Sequence, residues 1–453
     1  MDINTAPRSE LVRLIYEMAD RIAVLEAQNA QLREKLHQKG EGTKKGGNTP
    51  SFVKPNTPTK KHHPRKQREQ AFVRKNEIPT DRLFHAADVC PGCGGHLGKP
   101  TVAYTRQAID VPLPSYTVTQ HIICKRWCYR CRQSVLPDDA WKKEIVGQGR
   151  IGVNLASLIV TMRDRFRIPI AVITRYLSLV YRLHLSNGEI VALIHSAAKR
   201  GKPFYDQLWE TIRKSPVVHA DETGGRENGK NGYHWSFSTP TAHVLLYRKS
   251  RASPVVHELT GENSDRFDGV LVSDFYAAYN TYTGFHQRCW VHLLGDIKEL
   301  KEQYQGKHPP LNRWAMAVKR IYEEAKAYPG PDPSLPLGKK IQERITKQQG
   351  FEEKLRRLCH PYLTKESPMS TLCGRIITYL AELFVFVRFE GVPSDNNPAE
   401  RILRHTVTAR KISGGTRSSK GSETKTILTS LFDTWVLQGK NPLTQCRLLF
   451  AGV

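Results

Sequence analysis

Two short apolar runs in this chain each stop at an aspartate: Val217-Val218-His219-Ala220-Asp221 and Val270-Leu271-Val272-Ser273-Asp274. Each reads as a buried strand, since a brief apolar run bounded by polar residues suits a strand covered on both faces. A carboxylate at the end of such a strand is poorly solvated and costly unless a cation meets it. If the two strands are parallel neighbours, the carboxylates lie side by side. Their repulsion then raises one pKa unless a divalent metal neutralises them. A cap or a surface turn would explain one aspartate alone; the matched pair favours a metal. Ser394-Asp395-Asn396-Asn397-Pro398-Ala399-Glu400-Arg401 supplies a third carboxylate. It opens a helix with Asn397 as N-cap and Pro398 at N1. Glu400 then falls at N3, where the helix dipole favours the ionised form that a metal ligand needs. N3 is also the capping-box position, a purely structural role. Asp395 is the competing third carboxylate.

Outward from these runs the pattern is α/β. Residues 233–238 and 243–247 flank Thr239-Pro240-Thr241-Ala242 as a hairpin, and a helical piece near 253–259 precedes the second apolar run. Residues 297–385 are mostly helical, best at 313–328, 338–359 and 371–386, and a final α region runs from 398 to the end. Upstream, helices are predicted over 153–165 and 170–181. Ser186-Asn187-Gly188-Glu189 opens a third with the form of a capping box. Their basic residues (Arg163, Arg165, Arg167, Arg175, Arg182, Lys199, Arg200) suit either a helix-turn-helix module or a packing layer.

Cys90-Pro91-Gly92-Cys93-Gly94-Gly95 has the form of a zinc knuckle, and Cys128-Tyr129-Arg130-Cys131 is a second Cys-x-x-Cys pair. Four thiolates, Cys90, Cys93, Cys128 and Cys131, are the soft tetrahedral set of one structural zinc. His121 and Cys124 are spare ligands nearby. The segment between the pairs fits a β-hairpin, with strands over 101–111 and 116–126 about the turn Pro112-Leu113-Pro114-Ser115. The other four of the nine cysteines, Cys289, Cys359, Cys373 and Cys446, read as small core residues. At the start, Leu11, Ile15, Met18, Ile22, Leu25, Asn29, Leu32 and Leu36 alternate in steps of four and three. This is a coiled-coil seam, and Asn29 at an a position favours a two-stranded pairing. A single amphipathic helix on its own domain is the plainer reading. Residues 37–76 hold 8 Lys and 3 Arg against 2 Glu, broken by glycines and prolines, and read as a disordered basic linker.

The 453 residues carry 69 Lys and Arg against 43 Asp and Glu, a formal charge of +26. Such a surplus points to a polyanion, nucleic acid by default. The chain starts with no charged-then-apolar signal peptide, and its most apolar stretch, 379–389, is too short to span a bilayer and holds Glu382 and Arg388. An odd, clustered cysteine count argues against a secreted disulfide scaffold.

Four motifs occur in a fixed order: His219-Ala220-Asp221-Glu222-Thr223, Ser273-Asp274-Phe275-Tyr276-Ala277-Ala278-Tyr279-Asn280, Cys289-Trp290-Val291-His292 and Asp395-Asn396-Asn397-Pro398-Ala399-Glu400-Arg401. Together with the upstream Cys-Pro-x-Cys-Gly module and coiled coil, this order closely resembles the DDE transposases of the insertion sequence 66 family. The resemblance implies an RNase H-like core interrupted by a helical insertion, with Asp221, Asp274 and Glu400 as the catalytic triad. It places Cys289 and His292, with His219, Asn397 and Arg401, near the active site. Where relatives carry an Arg-Arg pair after that histidine, this chain has Leu293 and Leu294, which puts the DNA contact of that helix in question. With such a triad, two Mg²⁺ about 3.5–4 Å apart would activate the attacking oxygen and stabilise the leaving one. Water would cut the element end, and the resulting 3′-OH would attack target DNA. Arg404, Arg410 and Lys411 beyond the triad are DNA-binding candidates, a solvated basic face being the alternative.

The expected organisation is therefore multidomain: coiled coil (1–37), basic linker (38–82), β-rich zinc-binding module (83–146) and helical, possibly DNA-binding, region (147–214). The first part of the core (215–296), a helical insertion (297–386) and the second part with the C-terminal helices (387–453) follow. The expected partners are double-stranded DNA at element ends and target, a second copy through the coiled coil, and possible accessory proteins of the element, with no membrane. The expected location is the bacterial cytoplasm, at the nucleoid. Two other functions fit the same residues: a non-catalytic zinc and coiled-coil DNA-binding regulator, and a structure-selective nuclease on an RNase H-like core.

Overall fold

The computed structural model describes residues 78–109, 114–138, 143–146, 149–260, 267–364 and 366–452. The heptad of residues 1–37 and the basic segment up to residue 77 lie outside them. The chain divides into two units, residues 1–111 and 112–453.

The first unit contains a tight turn. Val89 and His96 form an antiparallel bridge. Inside it the Cys90 N–H donates to the Gly95 carbonyl at 3.0 Å and the Gly94 N–H to the Cys90 carbonyl at 2.8 Å. Gly94 takes φ +71°, a conformation glycine enters without a Cβ penalty.

The second unit begins with a hairpin of β1 (Arg126–Cys128) and β2 (Gln133–Val135), which surrounds the second cysteine pair. The strands expected over 101–111 and 116–126 are not formed: residues 101–109 and 116–125 are irregular. Val102, Tyr104, Val118 and Ile122 stay exposed, and β-propensity without a surface to pack against does not make a strand. Three helices follow, α1 (Val153–Asp164), α2 (Ile170–Tyr181) and α3 (Asn187–Arg213). The capping box at the start of α3 is complete: the Glu189 N–H donates to Ser186 Oγ at 3.1 Å and the Ser186 N–H to Glu189 Oε2 at 2.8 Å. Several of the basic residues here are spent inside the fold. Arg163 donates to the Ile168 carbonyl, Arg165 to Asp433 and Arg200 to the Phe450 carbonyl.

A five-stranded sheet follows, built from β3 (Val217–Glu227), β4 (Lys230–Ser238), β5 (His243–Arg248), β6 (Val270–Ser273) and β7 (His286–Arg288). Its order is β5-β4-β3-β6-β7. The β3–β4 and β4–β5 pairs are antiparallel, whereas β3–β6 and β6–β7 are parallel. The strand carrying Asp221 does not stop there. It continues to Glu227 because β4 pairs with it from His219 to Glu227. Polar β7 was not predicted; it forms because it has a ladder partner in β6 and because buried Arg288 finds Glu382 at 2.6 Å.

Trp235, Phe237, Val244 and Leu246 of the sheet share one core with Ile190, Leu193, Ile427, Leu431 and Phe432. The helix crossing there needs Gly201, since a Cβ at that position would lie 2.5 Å from Leu431 Cδ1. Between β7 and residue 388 the chain is helical: α4 having been Pro254–Thr260, these are α5 (Trp290–Gln303), α6 (Pro309–Lys326), α7 (Leu337–Cys359), α8 (Ser370–Thr378), α9 (Leu380–Leu383) and α10 (Val385–Arg388). They bury a core of their own around Trp290, Leu293, Trp314 and Phe384. Leu293 and Leu294 belong to this core, so packing accounts for the apolar pair after His292. Three helices close the chain: α11 (Asn397–Ser413), α12 (Ser419–Leu437) and α13 (Pro442–Ala451). Cys289, Cys359, Cys373 and Cys446 are buried. Among the described residues no helix is long and apolar enough to cross a membrane.

Candidate active site and zinc knuckles

The register of two strands brings the first carboxylates together. Val217, Val218 and His219 lie opposite Val270, Leu271 and Val272 in the parallel β3–β6 pair. The same offset carried two residues further puts Asp221 beside Asp274, just past the end of β6. Each carboxylate is oriented by an amide close to it in sequence. The Glu222 N–H donates to Asp221 Oδ1 at 2.8 Å and the Tyr276 N–H to Asp274 Oδ1 at 2.9 Å. The Asp274 carbonyl in turn accepts from Arg288 Nη1 and from Ser273 Oγ, both at 2.9 Å.

The helix α11 delivers Glu400, and buried Asn396 anchors its start. Asn396 Oδ1 lies 2.9 Å from His219 Nδ1, its Nδ2 donates to the Ala220 carbonyl at 2.7 Å, and its N–H donates to Cys289 Sγ at 3.2 Å. One side chain thus ties α11 to β3 and to the start of α5. The helix begins one residue earlier than the motif suggested. Asn396, not Asn397, is the N-cap, so Glu400 falls at N4 rather than N3. The Asn396 side chain makes no capping bond, being engaged elsewhere, and Asp395 Oδ1 accepts the Asn397 N–H at 3.1 Å instead. His292 Nε2 lies 3.7 Å from Glu400 Oε1. Arg401 and Arg404 are exposed.

The electrostatics follow from this crowding. Burial, and then the charges of Glu222, Asp274 and Glu400, push the Asp221 carboxyl up to about 7. Excess negative charge of this kind is what a divalent cation relieves, so the donor set fits one. The carboxylates share a field without forming a closed cage: among the described residues no group of three or more His, Cys, Asp or Glu is gathered tightly enough to hold a metal ion. Residues 148–424, which include all three carboxylates, match the family model described as "Transposase IS66 family".

This chain belongs to the Transposase IS66 family.

Residues 87–132 of the transposase match a second model, the "zinc-finger binding domain of transposase IS66". It is also similar to "Uncharacterized protein y4jD" of Sinorhizobium fredii (strain NBRC 101917 / NGR234), with 22% identity over 388 residues that cover 78% of this chain and 72% of the relative. The matches make it a transposase with a zinc-finger domain, and so a DNA-binding protein.

Both cysteine pairs of the transposase form knuckles. The amides of Gly92 and Cys93, with the Cys93 side chain, hold the Cys90 thiol below its ordinary value. The Cys131 amide and side chain and the Arg130 amide do the same for Cys128. Lowered thiols favour the thiolate that zinc binds, so each pair fits that metal.

Two features of the site were not expected from sequence. Glu222, read only as part of a motif, is buried against Arg251 and the Tyr279 hydroxyl. Arg288 braces Asp274 from a strand too polar to look like one. Of the basic candidates beyond the triad, Lys411 is exposed, but Arg410 is turned inward and donates to the Gly224 carbonyl. That contact does not fit a freely solvated phosphate clamp. Arg410 instead helps line a cavity of about 490 Å³ together with Arg226, Asn231, Tyr233, Lys411 and four glycines.

Proposed function

We propose that this transposase binds the ends of its mobile element, cleaves DNA there and joins the freed 3′-OH to target DNA, using Asp221, Asp274 and Glu400. The observation that carries the reading is that the register of two parallel strands sets Asp221 beside Asp274 and that both share a field with Glu400 of α11, with Asp221 raised to about 7. The reading further takes the mixed sheet as an RNase H-like core and the helices from Trp290 to Arg388 as its insertion. Two Mg²⁺ held by the three carboxylates would supply Lewis-acid stabilisation of the attacking and leaving oxygens. The protein's own part is positioning. The amides of Glu222 and Tyr276 aim Asp221 and Asp274, and the Asn396 anchor holds α11 so that Glu400 meets them. Arg404 and Lys411 on α11 meet phosphates near the site, and the Arg410-lined cavity carries the same basic character. Accessory proteins of the element and a nucleoid location belong to this reading too.

The test is incubation of the purified protein with DNA carrying its own flanking ends and Mg²⁺. Nicked and then joined products are expected. Binding without products would make it a DNA-binding regulator, and nicks without joining a nuclease.

We also propose one structural zinc on Cys90, Cys93, Cys128 and Cys131. Purified protein should hold about one zinc per chain. Cys93→Ser should lose the metal and weaken end binding, while circular dichroism shows the helical units intact. Metal-free protein that binds ends with full affinity would refute this.

Residues 1–37 are proposed to pair two copies. Sedimentation of the full chain should show a dimer or larger, and Asn29→Ile should raise the stability of the assembly while loosening its preference for two strands. A monomer at high concentration is the contrary result.

A further inference from the structure

We propose that Glu222, Arg251 and Tyr276 form a bracket that sets the spacing between Asp221 and Asp274, with Glu222 a positioning residue and not a metal ligand. This rests on the reading of Asp221 and Asp274 as metal-holding carboxylates. Glu222 follows Asp221 on β3, so strand alternation sends the two side chains to opposite faces of the sheet. The Glu222 side chain is only 1% exposed. Both of its oxygens are taken. Oε1 accepts from Arg251 Nε at 3.0 Å and Nη2 at 2.5 Å, and Oε2 accepts from the hydroxyl of fully buried Tyr279. A carboxylate held this way, on the far face, is not free to turn toward its neighbour's metal.

Arg251 completes the link. Its guanidinium lies 3.8 Å from the Tyr276 ring centre, and the Tyr276 hydroxyl donates to the Arg251 carbonyl at 2.8 Å. Tyr276 is the residue whose amide holds Asp274, and Glu222 is the residue whose amide holds Asp221. One run of side chains therefore joins the two amides that aim the two carboxylates. The β3–β6 ladder ends at the pair of His219 with Val272. Beyond that point the bracket takes over the work of spacing. Glutamine would be a poor substitute for Glu222, because an amide offers one acceptor oxygen where two groups donate.

The test uses the full chain carrying Glu222→Ala, Arg251→Ala, the double variant, Arg251→Lys or Tyr279→Phe, beside Asp221→Ala as reference. Ca²⁺ binding is measured by calorimetry without DNA, and cleavage is titrated with Mg²⁺. Glu222→Ala and Arg251→Ala should each weaken Ca²⁺ binding, and raise the Mg²⁺ needed for half-maximal cleavage, by about tenfold to a hundredfold. Saturating Mg²⁺ should recover most of the rate, and DNA affinity should not change. The double variant should be no worse than either single one, since both remove the same link. Arg251→Lys should recover part of the loss. Wild-type metal responses in Glu222→Ala overturn the bracket, as does a loss that no Mg²⁺ concentration restores, which would make Glu222 a ligand. If Glu222→Ala does not fold, Tyr279→Phe should still shift both titrations in the same direction by less, and a wild-type response there overturns the proposal. Normal Ca²⁺ binding by Asp221→Ala overturns the metal reading and the bracket with it. A defective Asp221→Ala beside a normal Glu222→Ala overturns the bracket alone.

Discussion

Asp221→Ala, Asp274→Ala and Glu400→Ala should each abolish DNA cleavage and joining while leaving binding to the element ends intact. Phosphate contacts from basic regions hold DNA, whereas these carboxylates would hold metals, so losing one removes a ligand without removing a DNA contact. Gel shifts and strand-transfer assays on the same preparations separate the two. Ca²⁺ should support binding with little cleavage, since its coordination is looser. Asp395→Ala is the control. It loses the Asx turn onto the Asn397 N–H, costs on the order of 1 kcal/mol, and keeps the chemistry. A dead Asp395→Ala beside an active Glu400→Ala would move the third ligand to Asp395. Normal cutting by all three triad variants would remove the DDE reading.

The same site makes a stability prediction of opposite sign. The Asp221 carboxyl is raised to about 7 in the folded protein, by burial and then by Glu222, Asp274 and Glu400. Its ordinary value is about 3.9. A raised carboxyl means that ionisation opposes folding. The metal-free protein should therefore gain stability from this group as the pH falls from about 7 toward 4. Asp221→Asn, inactive, should melt higher than wild type at pH 8 without metal, and the advantage should vanish at pH 4. A lower melting temperature at pH 8 would contradict the electrostatic account.

Asp433→Ala should be the most damaging substitution outside the site, destabilising the second unit by about 3–5 kcal/mol. Asp433 on α12 is nearly enclosed, and three groups from three elements converge on it. Arg165 Nη1 donates at 2.9 Å, His243 Nδ1 lies at 3.1 Å and His405 Nδ1 at 3.2 Å. On its other side His243 Nε2 lies 2.9 Å from Ser236 Oγ. The Ser236–His243–Asp433 order resembles a hydrolytic triad, but Ser236 and His243 are fully buried and no substrate reaches them. Their role is to lock α12 onto the sheet. Burial alone would raise the Asp433 carboxyl, yet His243 and His405 hold it far below its ordinary range. A depressed carboxyl stabilises the fold above its unfolded value near 4, and that stabilisation is lost as the pH falls further. The His405 imidazole is raised, because Asp433 outweighs the effect of burial. Its contribution is complete below about pH 6.5 and fades as the pH rises through the folded value. Urea unfolding followed by tryptophan fluorescence should show a large drop in midpoint for Asp433→Ala at pH 6 and a smaller difference from wild type near pH 3. A loss under about 1 kcal/mol at pH 6 would mean that the network adds nothing beyond packing.

Much of the architecture was legible because it depends on local chemistry. Helix periods, the Ser186 capping box and the hairpin about Thr239-Pro240 follow from spacing within a few residues, and each formed close to its predicted place. The two aspartates at the ends of apolar runs were readable for the same reason: a carboxylate at the end of a buried apolar run is costly unless a cation meets it, so it marks a candidate site. Where local preference lacked a packing partner, it failed. The β-formers of 101–109 and 116–125 stayed irregular and exposed, and the strand through Asp221 ran on through Thr223, Gly224 and Gly225 because β4 paired with it.

Residue types and their order singled out the three carboxylates and the two cysteine pairs as candidates and showed the basic surplus, because charge, ligand softness and strand burial belong to the residues themselves. Partnership does not. That Asn396 spends its amide on His219 and Ala220 rather than on capping, that Arg410 turns in to Gly224, that Glu222 is braced by Arg251, and that Asp433 gathers Arg165, His243 and His405 across 28 to 268 residues are all consequences of tertiary packing. A polar side chain buried by folding must find whatever complementary group the fold brings to it, and that choice is made in space, between residues whose separation along the chain carries no trace of it.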